Sequence, residues 1–328
     1  MSAQKIRVLA TGGTIAGSGG SAFGSGYQPG KVAVDDMLAE IKALGIETAL
    51  DAVEIASIGS QDIGWTEWAR LHEEVLRAQA DESVCGIIIT HGTDTAEETA
   101  LLLDLTLDCG KPVVLVGAMR PADAVGSDGM RNFANAVKVA RDPASHGRGV
   151  LVVMGDTVFA ARDVRKAATS NIDAFKGFPR GPMARVTPGT LDWFGPADRK
   201  GEKASLRWPE ALPRVAILIA GAGMDAQPVE ALLGIGCKGI VLAGMGQGNA
   251  PACVLDALQQ AVASGVPVIR SSRVDEGMAD RNVEVDDDAR GFVAARAFGP
   301  AKARILLMLL LANGITDPAA IQSAFDAR

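Results

Sequence analysis

The sequence is poor in the residues that most often build metal sites, disulfide frameworks and membrane spans. Its 328 residues include three histidines, four cysteines and a single tyrosine, and aromatic residues make up only 4%. The cysteines form no Cys-x-x-Cys pair and have no histidine nearby at ligand spacing, so they predict no metal site. The longest apolar run, Ile305 to Ala312, is eight residues long and too short to cross a bilayer.

A surplus of positive charge is also missing. The formal net charge is −7 and the isoelectric point is near 5.1, whereas a nucleic-acid-binding face needs clustered Lys and Arg. Hydrophobic residues make up 48% and the mean hydropathy is +0.18, which is typical of a compact globular protein. A small polar substrate is therefore the better expectation than a nucleic acid or a membrane.

The N-terminus and the cysteines together predict a cytoplasmic protein. Residues 1–7 lead into the first apolar segment without the long apolar stretch of a signal peptide. The four cysteines are interpreted as buried free thiols, since nothing else in the sequence marks export.

Strand-like and helix-like segments alternate along the chain. In the first half, strands are predicted at Lys5–Thr11, Ala52–Ser57, Ile87–Thr90 and Lys111–Gly117, and helices near Asp35–Leu44, Ala96–Leu107 and Asn132–Ala140. This alternation favours an α/β fold with a doubly wound, mainly parallel sheet. Prolines and a charge run then predict a linker at 196–213, between a larger N-terminal catalytic domain (1–195) and a smaller C-terminal α/β domain (214–328).

Two predicted strands end in glycine followed by threonine, at Gly12-Gly13-Thr14 and at Gly92-Thr93-Asp94. In open α/β sheets, ligands bind at the carboxyl ends of strands, where backbone N–H groups and helix N-termini point outward. A threonine hydroxyl is a weak nucleophile until a base takes its proton. Thr14 and Thr93 are therefore candidate site residues that need a proton acceptor.

Lys166 and Tyr27 are candidate partners for these threonines. A lysine relays protons when its amine is neutral, but a neighbouring Asp94 would favour the ammonium form, so the sequence leaves the protonation state open. Tyr27 lies in a Gly/Ser-rich segment, residues 18–30, that is predicted to be a mobile loop. A lid carrying a phenol to the site would explain why the one tyrosine stands there.

Seven segments resemble, in order, the signature segments of the bacterial-type L-asparaginases. They are Thr11–Gly17, Gly59–Asp62, Thr90–Thr95, Gly117–Pro121, Asp163–Lys166, Ile269–Arg273 and Ala301–Arg304. The resemblance runs from Leu9 almost to the C-terminus. It implies hydrolysis of an amide side chain through a covalent β-aspartyl enzyme, without a cofactor, in a homotetramer whose sites form between paired subunits.

The resemblance also implies a role for each site residue. Thr14 would be the nucleophile with Tyr27 closing over it, and Thr93 and Lys166 would activate water or the hydroxyl alongside Asp94. The residues implied in binding L-asparagine are Ser60, Gln61, Thr93, Asp94 and Ala118, with Asn249 and Glu284 from the neighbouring subunit. Ser60 and Gln61 would hold the α-carboxylate and α-amine of the substrate, and Asp94 would bind the amine as well.

Two departures from the family pattern bear on function. Gln247 stands where many relatives have Asn or a small residue, which leaves the preference for asparagine or glutamine open. In exported relatives Cys109 has a disulfide partner shortly upstream, but here Ala78–Asp81 occupies that region and Cys85 is displaced. This departure supports the prediction of a reduced, cytoplasmic protein.

Several alternatives stay open at this point. Thr14, Thr93 and Asp94 are also good helix-capping residues, and Lys166 is equally typical of a solvated basic edge. Asn249 fits a turn, and Glu284 fits an exposed acidic run. The same fold also serves a glutaminase-dominant amidohydrolase or an amino-acid racemase. A nucleotide- or metabolite-binding module is weakened because Gly12, Gly13 and Gly17 lack the Gly-x-Gly-x-x-Gly spacing.

Overall fold

The computed structural model describes residues 4–19, 34–43, 45, 47–108, 110–197 and 206–327. The chain forms two compact units, residues 1–205 and 206–328, each with its own sheet. Tyr27, Cys109 and most of the segment predicted as a mobile loop lie outside the described residues. The predicted linker, 196–213, stays a prediction because residues 198–205 within it are also outside.

An eight-stranded sheet forms the centre of the first unit, in the order β10-β9-β6-β5-β4-β3-β1-β2. Strands β1 to β5 pair in parallel, while β6, β9 and β10 are antiparallel. The strands are β1 Lys5–Gly12, β2 Leu50–Ile58, β3 Val84–Thr90, β4 Val113–Val116, β5 Val150–Met154, β6 Thr157–Ala160, β9 Ala184–Val186 and β10 Leu191–Trp193. A separate hairpin consists of β7 Val164–Lys166 and β8 Phe175–Gly177.

Helices cover both faces of this sheet. They are α1 Val34–Ala43, α2 Trp65–Ala80, α3 Ala96–Thr106 and α4 Gly129–Arg141. Ile87 and Ile89 of β3 pack in the layer with α2 and α3, whereas Ile88 packs in the layer with α1 and α4. Because successive strand residues point to opposite faces, a central strand needs an unbroken apolar run to fill both layers. The predicted doubly wound, mainly parallel sheet is confirmed.

The strand order places the carboxyl ends of three neighbouring strands side by side. From β1 the chain crosses to β2 on one side, and then returns to place β3 on the other side. Ala10 pairs with Thr90, and Thr90 pairs with Val116, so β1, β3 and β4 end at similar levels. The reversal between β1 and β3 is a topological switch point, where open α/β sheets bind ligands.

The second unit is smaller and contains a four-stranded parallel sheet in the order β11-β12-β13-β14. Its strands are β11 Val215–Ile219, β12 Gly239–Gly244, β13 Val268–Ser272 and β14 Val293–Ala294. Its helices are α5 Gln227–Gly234, α6 Ala252–Ala263, α7 Asp287–Arg290, α8 Pro300–Ala312 and α9 Pro318–Asp326. The second predicted α/β domain is therefore confirmed. Within the described residues, none of the helices is long and apolar enough to span a membrane.

Candidate active site

The turn after β1 brings Thr14 against the turn after β3. Gly12 and Gly13 have φ of +97° and +79°, a region that L side chains rarely adopt. A Cβ on Gly13 would lie 2.4 Å from the Gly92 backbone nitrogen, so only glycine permits this contact. Thr14 begins a 3-10 turn, Thr14–Ala16, and is only 4% exposed. The nucleophile candidate is thus buried at the switch point.

The turn after β3 also packs against the turn after β2. A Cβ on Gly92 would lie 2.7 Å from Ser60 Oγ, and Thr95 Oγ1 donates to the Ser60 carbonyl at 2.8 Å. The N-cap of α3 is Thr95 rather than Thr93 or Asp94. The capping alternative for those two residues is therefore wrong, and their side chains remain available to the site.

Lys166 reaches this site from the β7–β8 hairpin. Its Nζ donates to Thr93 Oγ1 at 2.9 Å and to Asp94 Oδ1 at 2.5 Å. The Lys166 side chain is 18% exposed, which excludes the solvated basic edge, whereas Asp94 is 58% exposed. Because Thr93 Oγ1 accepts this hydrogen bond from Lys166, its own hydroxyl group can still donate a hydrogen bond.

Ala118 follows β4 and is fully buried. The turn around it is held by Asp128, whose carboxylate accepts from the Met119 and Arg120 backbone N–H groups at 2.9–3.1 Å. Asn132 donates to the Gly117 carbonyl at 2.9 Å and also to Asp128. Sequence reasoning missed Asp128 and Asn132, although their spacing of four residues at the start of a helix was a usable signal.

His91 is a buried neutral residue beside the threonines. Burial lowers the pKa of His91 from 6.5 to about 4, against a smaller raising effect of its hydrogen bond to Gly92. The partner is the Gly92 carbonyl, 2.7 Å from Nδ1, so Nδ1 carries the proton. This geometry supports the interpretation of His91 as a residue that orients the Gly92 turn.

The pH dependence of stability tests whether His91 is buried as a neutral imidazole. Between pH 6.5 and 4 the unfolded state binds a proton at His91 that the folded state excludes, so stability falls as the pH falls. We expect wild type to lose about 2 kcal/mol more unfolding free energy between pH 7 and pH 5 than His91→Asn does. Urea unfolding at both pH values measures this difference.

His146→Asn is the matched control, because His146 is exposed and lies in the same unit. Its loss of stability between pH 7 and pH 5 should equal that of wild type. Equal losses in His91→Asn and wild type would contradict a neutral buried imidazole at position 91.

The second unit brings Asn249 and Glu284 together. Asn249 Nδ2 donates to Glu284 Oε2 at 3.2 Å, and Glu284 is exposed. Asn249 also has the turn role considered as an alternative, since its Oδ1 accepts from the Ala250 backbone N–H at 2.8 Å. Pro251, and not Asn249, is the N-cap of α6. The two residues implied in completing the substrate pocket therefore lie side by side in this unit.

A fully buried ion pair positions both of these segments. Arg270 donates to both carboxylate oxygens of Asp287, and both side chains are 0% exposed. The same guanidinium donates to the backbone carbonyls of Gln247 and Asp280. Asp287 also accepts from the Asn282 backbone N–H at 2.9 Å. Arg270 therefore fixes the loop before Asn249 and the segment before Glu284 relative to each other.

The first unit thus brings together most of the candidate residues. Those that lie at or beside neighbouring strand ends are Thr14, Ser60, Gln61, Thr93, Asp94, Ala118 and Lys166. Gln61 is exposed and donates to Asp62 at 3.0 Å. Tyr27 lies outside the described residues, so its predicted role as a lid stays a prediction.

Each of the two units matches a known protein-family model. Residues 5–199 match the family model "Asparaginase, N-terminal", and residues 214–325 match "Glutaminase/Asparaginase C-terminal domain". The chain is 43% identical to "Probable L-asparaginase periplasmic" of Haemophilus influenzae and to "L-asparaginase 2" of Escherichia coli. Each alignment covers 98% of this chain and 92% of the relative.

A glutaminase-type relative and a solved structure are similar over comparable lengths. "Glutaminase-asparaginase" of Pseudomonas fluorescens is 40% identical over 93% of this chain and 86% of the relative. The crystal structure of a "Probable Cytoplasmic L-asparaginase" from Campylobacter jejuni matches with a TM-score of 0.93 and 35% identity. That match covers 99% of this chain and 100% of the other.

Proposed function

The chain belongs to the asparaginase family, and on that premise we propose that it is an L-asparaginase, which hydrolyses L-asparagine to L-aspartate and ammonia. The observation that carries the proposal is the contact of Lys166 Nζ with Thr93 Oγ1 and Asp94 Oδ1, at 2.9 and 2.5 Å. This cluster lies beside the buried hydroxyl of Thr14 at the switch point of the sheet. A nucleophile and a proton-transfer pair are what amide hydrolysis needs.

In the proposed reaction Thr14 Oγ attacks the side-chain amide carbon of the substrate. The hydroxyl proton passes to the leaving nitrogen, the C–N bond breaks, and ammonia departs from an acyl-enzyme. Water then attacks the acyl carbon, the ester bond to Thr14 breaks, and a proton of that water passes to Thr14 Oγ. We assign the proton transfers of both steps to Thr93 and Lys166, which are joined by a hydrogen bond of 2.9 Å.

The substrate is a zwitterion, and the proposed binding residues match both of its charges. Ser60 supplies a hydroxyl and Gln61 an amide to the α-carboxylate and α-amine, and the half-exposed Asp94 carboxylate binds the ammonium group. Asn249 and Glu284 of a neighbouring subunit complete the pocket in a homotetramer. The residue implied in closing over Thr14, Tyr27, lies outside the described residues.

Ammonia release from L-asparagine and from L-glutamine tests the proposed function. We expect the wild-type protein to release ammonia from L-asparagine, and less from L-glutamine. Higher activity with L-glutamine would favour the glutaminase-dominant alternative. The name of the Pseudomonas relative, "Glutaminase-asparaginase", is the reason to test L-glutamine. Conversion of L- to D-amino acid without ammonia would identify a racemase, and no release from either amide would contradict the proposal.

Subunit mixing tests whether sites are shared. Thr14→Ala and Glu284→Ala are each expected to be nearly inactive. If one site takes Thr14 from one subunit and Glu284 from its partner, mixed pairs contain one intact site. Random exchange at a two-fold interface then restores about a quarter of wild-type activity at a 1:1 ratio.

Glu230→Ala is the control for this mixing, because Glu230 is an exposed carboxylate on α5. Alone it should keep wild-type activity. Absence of recovery in a Thr14→Ala and Glu284→Ala mixture, after mass spectrometry has verified exchange, would overturn the shared site.

We also propose a cytoplasmic location. The described Cys85, Cys237 and Cys253 are free thiols, which is consistent with a reducing compartment. Cys237 is buried, Cys85 is partly buried and Cys253 is exposed, so the interpretation of the cysteines as buried is wrong for Cys253. The relatives include one named as periplasmic and one named as cytoplasmic, so the location stays a prediction.

A further inference from the structure

The hairpin that carries Lys166 lies outside the eight-stranded sheet of the first unit. Among the described residues its strands β7 and β8 pair only with each other, at three residue positions. Val164 is fully buried and Phe175 is 6% exposed, and both pack into the core. Apolar contacts are not directional. They hold the hairpin against the core without setting the position of the Lys166 amine.

Asp163, the residue before β7, supplies a directional contact. Its side chain is 2% exposed, and its two carboxylate oxygens accept hydrogen bonds from Arg180 Nε and Nη2, each at 2.8 Å. A planar guanidinium matches a planar carboxylate in this arrangement, so such a pair is geometrically more specific than a single hydrogen bond. Arg180 follows β8, so the pair links the beginning of one strand to the segment beyond the other.

The turn after β8 is folded so that Arg180 reaches Asp163. A Cβ on Gly177 would lie 2.4 Å from the Gly181 carbonyl oxygen, so the chain turns back closely on the end of β8. The Phe178 backbone N–H donates to the Asp163 carbonyl at 3.0 Å. Asp163 is therefore bound to this turn by its backbone as well as by its side chain.

We propose that Asp163 and Arg180 are positioning residues for Lys166. They fix the backbone of β7, so that the Lys166 amine stays within hydrogen-bond distance of Thr93 Oγ1. Lys166 Nζ donates to Thr93 and Asp94, whereas Asp163 pairs with Arg180, so the effect passes through the backbone of β7. A misplacement of about 1 Å breaks such a hydrogen bond and can slow a reaction about 10²-fold. The catalytic part of this inference rests on the proposed function.

Crystal structures test the geometric part without a measurement of activity. Arg180→Met removes the guanidinium that binds the buried Asp163 carboxylate, so we expect β7 to shift. The distance from Lys166 Nζ to Thr93 Oγ1 should then exceed about 3.5 Å, beyond a hydrogen bond. Arg185→Met is the matched control, because Arg185 is an exposed arginine of the same unit, and it should keep the wild-type distance. An unchanged distance in Arg180→Met overturns the proposal.

Kinetics with L-asparagine test the catalytic part. We expect kcat in Arg180→Met to fall by about tenfold to 10²-fold, with a much smaller change in KM, since the binding residues are untouched. In a Lys166→Met background the same substitution should change kcat by less than about twofold, because no amine remains to be positioned. Losses that multiply in the double variant would indicate general structural damage and would contradict the positioning role.

A neutral pair covers the case in which Arg180→Met fails to fold because it leaves a buried carboxylate. Asp163→Asn combined with Arg180→Gln removes both charges and the bidentate contact, and urea unfolding measures its stability. This variant should show the longer distance from Lys166 Nζ to Thr93 Oγ1 and the lower kcat, and wild-type values of both would overturn the inference. Absence of ammonia release by the wild-type protein contradicts the proposed function alone, since the distances in the crystal structures still decide the inference.

Discussion

Thr14→Ala is expected to lower kcat for ammonia release from L-asparagine by about 10³-fold or more, because it removes the proposed nucleophile. Thr14 is 4% exposed, and alanine fills the same backbone position, so the fold should persist. KM should change far less than kcat, since the binding residues are untouched. Steady-state kinetics with L-asparagine measures both constants.

Thr14→Ser is the matched variant, because it keeps a hydroxyl at the same carbon and should retain most of the activity. Acid quenching during turnover then assigns the nucleophile directly. Trypsin cuts after Lys31, Arg70 and Arg77, so Thr14 and Thr93 fall in different peptides. An acyl group on the peptide with Thr93, or full activity in Thr14→Ala, would contradict the assignment of Thr14.

The strand ends that carry Thr14 and Thr93 could be predicted from the sequence, because each has a recognisable local pattern. An apolar run that stops in glycine and threonine predicts a buried strand and a tight turn, and both occur at Thr14 and at Thr93. Why glycine is required at these positions could be seen only in the structure. Gly13 and Gly92 are 79 positions apart in the sequence, and no sequence pattern indicates that their backbones are in contact.

Long-range pairing and buried charge set the limit of what the sequence alone could predict. Lys166 contacts Thr93 across 73 residues of chain. The residue types made Lys166 a candidate partner of the threonines, but no local pattern indicates that the two side chains meet. Arginine side chains are mostly exposed, yet Arg270 is 0% exposed because it is paired with the equally buried Asp287. Helix α8 continues in the apolar run Ile305–Ala312, which shows no polar face in the sequence because the helix is buried over most of its circumference.

Lys166→Met is expected to reduce kcat by about 10²- to 10⁴-fold, the usual contribution of a positioned proton-transfer group. Methionine has a similar length but cannot donate to Thr93 Oγ1 or pair with Asp94. Lys176→Met is the control, because Lys176 is an exposed lysine on the same hairpin. It should keep wild-type kcat.

The variant Lys166→Arg distinguishes a role of Lys166 in proton transfer from a role that needs only its positive charge. Arginine keeps a positive charge near Asp94 but does not give up its proton in proteins. If Lys166 relays protons through Thr93, the arginine variant should lose nearly as much kcat as Lys166→Met does, while its KM stays closer to that of wild type. If the arginine variant keeps kcat within a few-fold of wild type, the positive charge is enough, and Lys166 holds Thr93 and Asp94 in place rather than moving a proton. The rate therefore decides between two roles that the same pair of contacts, at 2.9 and 2.5 Å, permits.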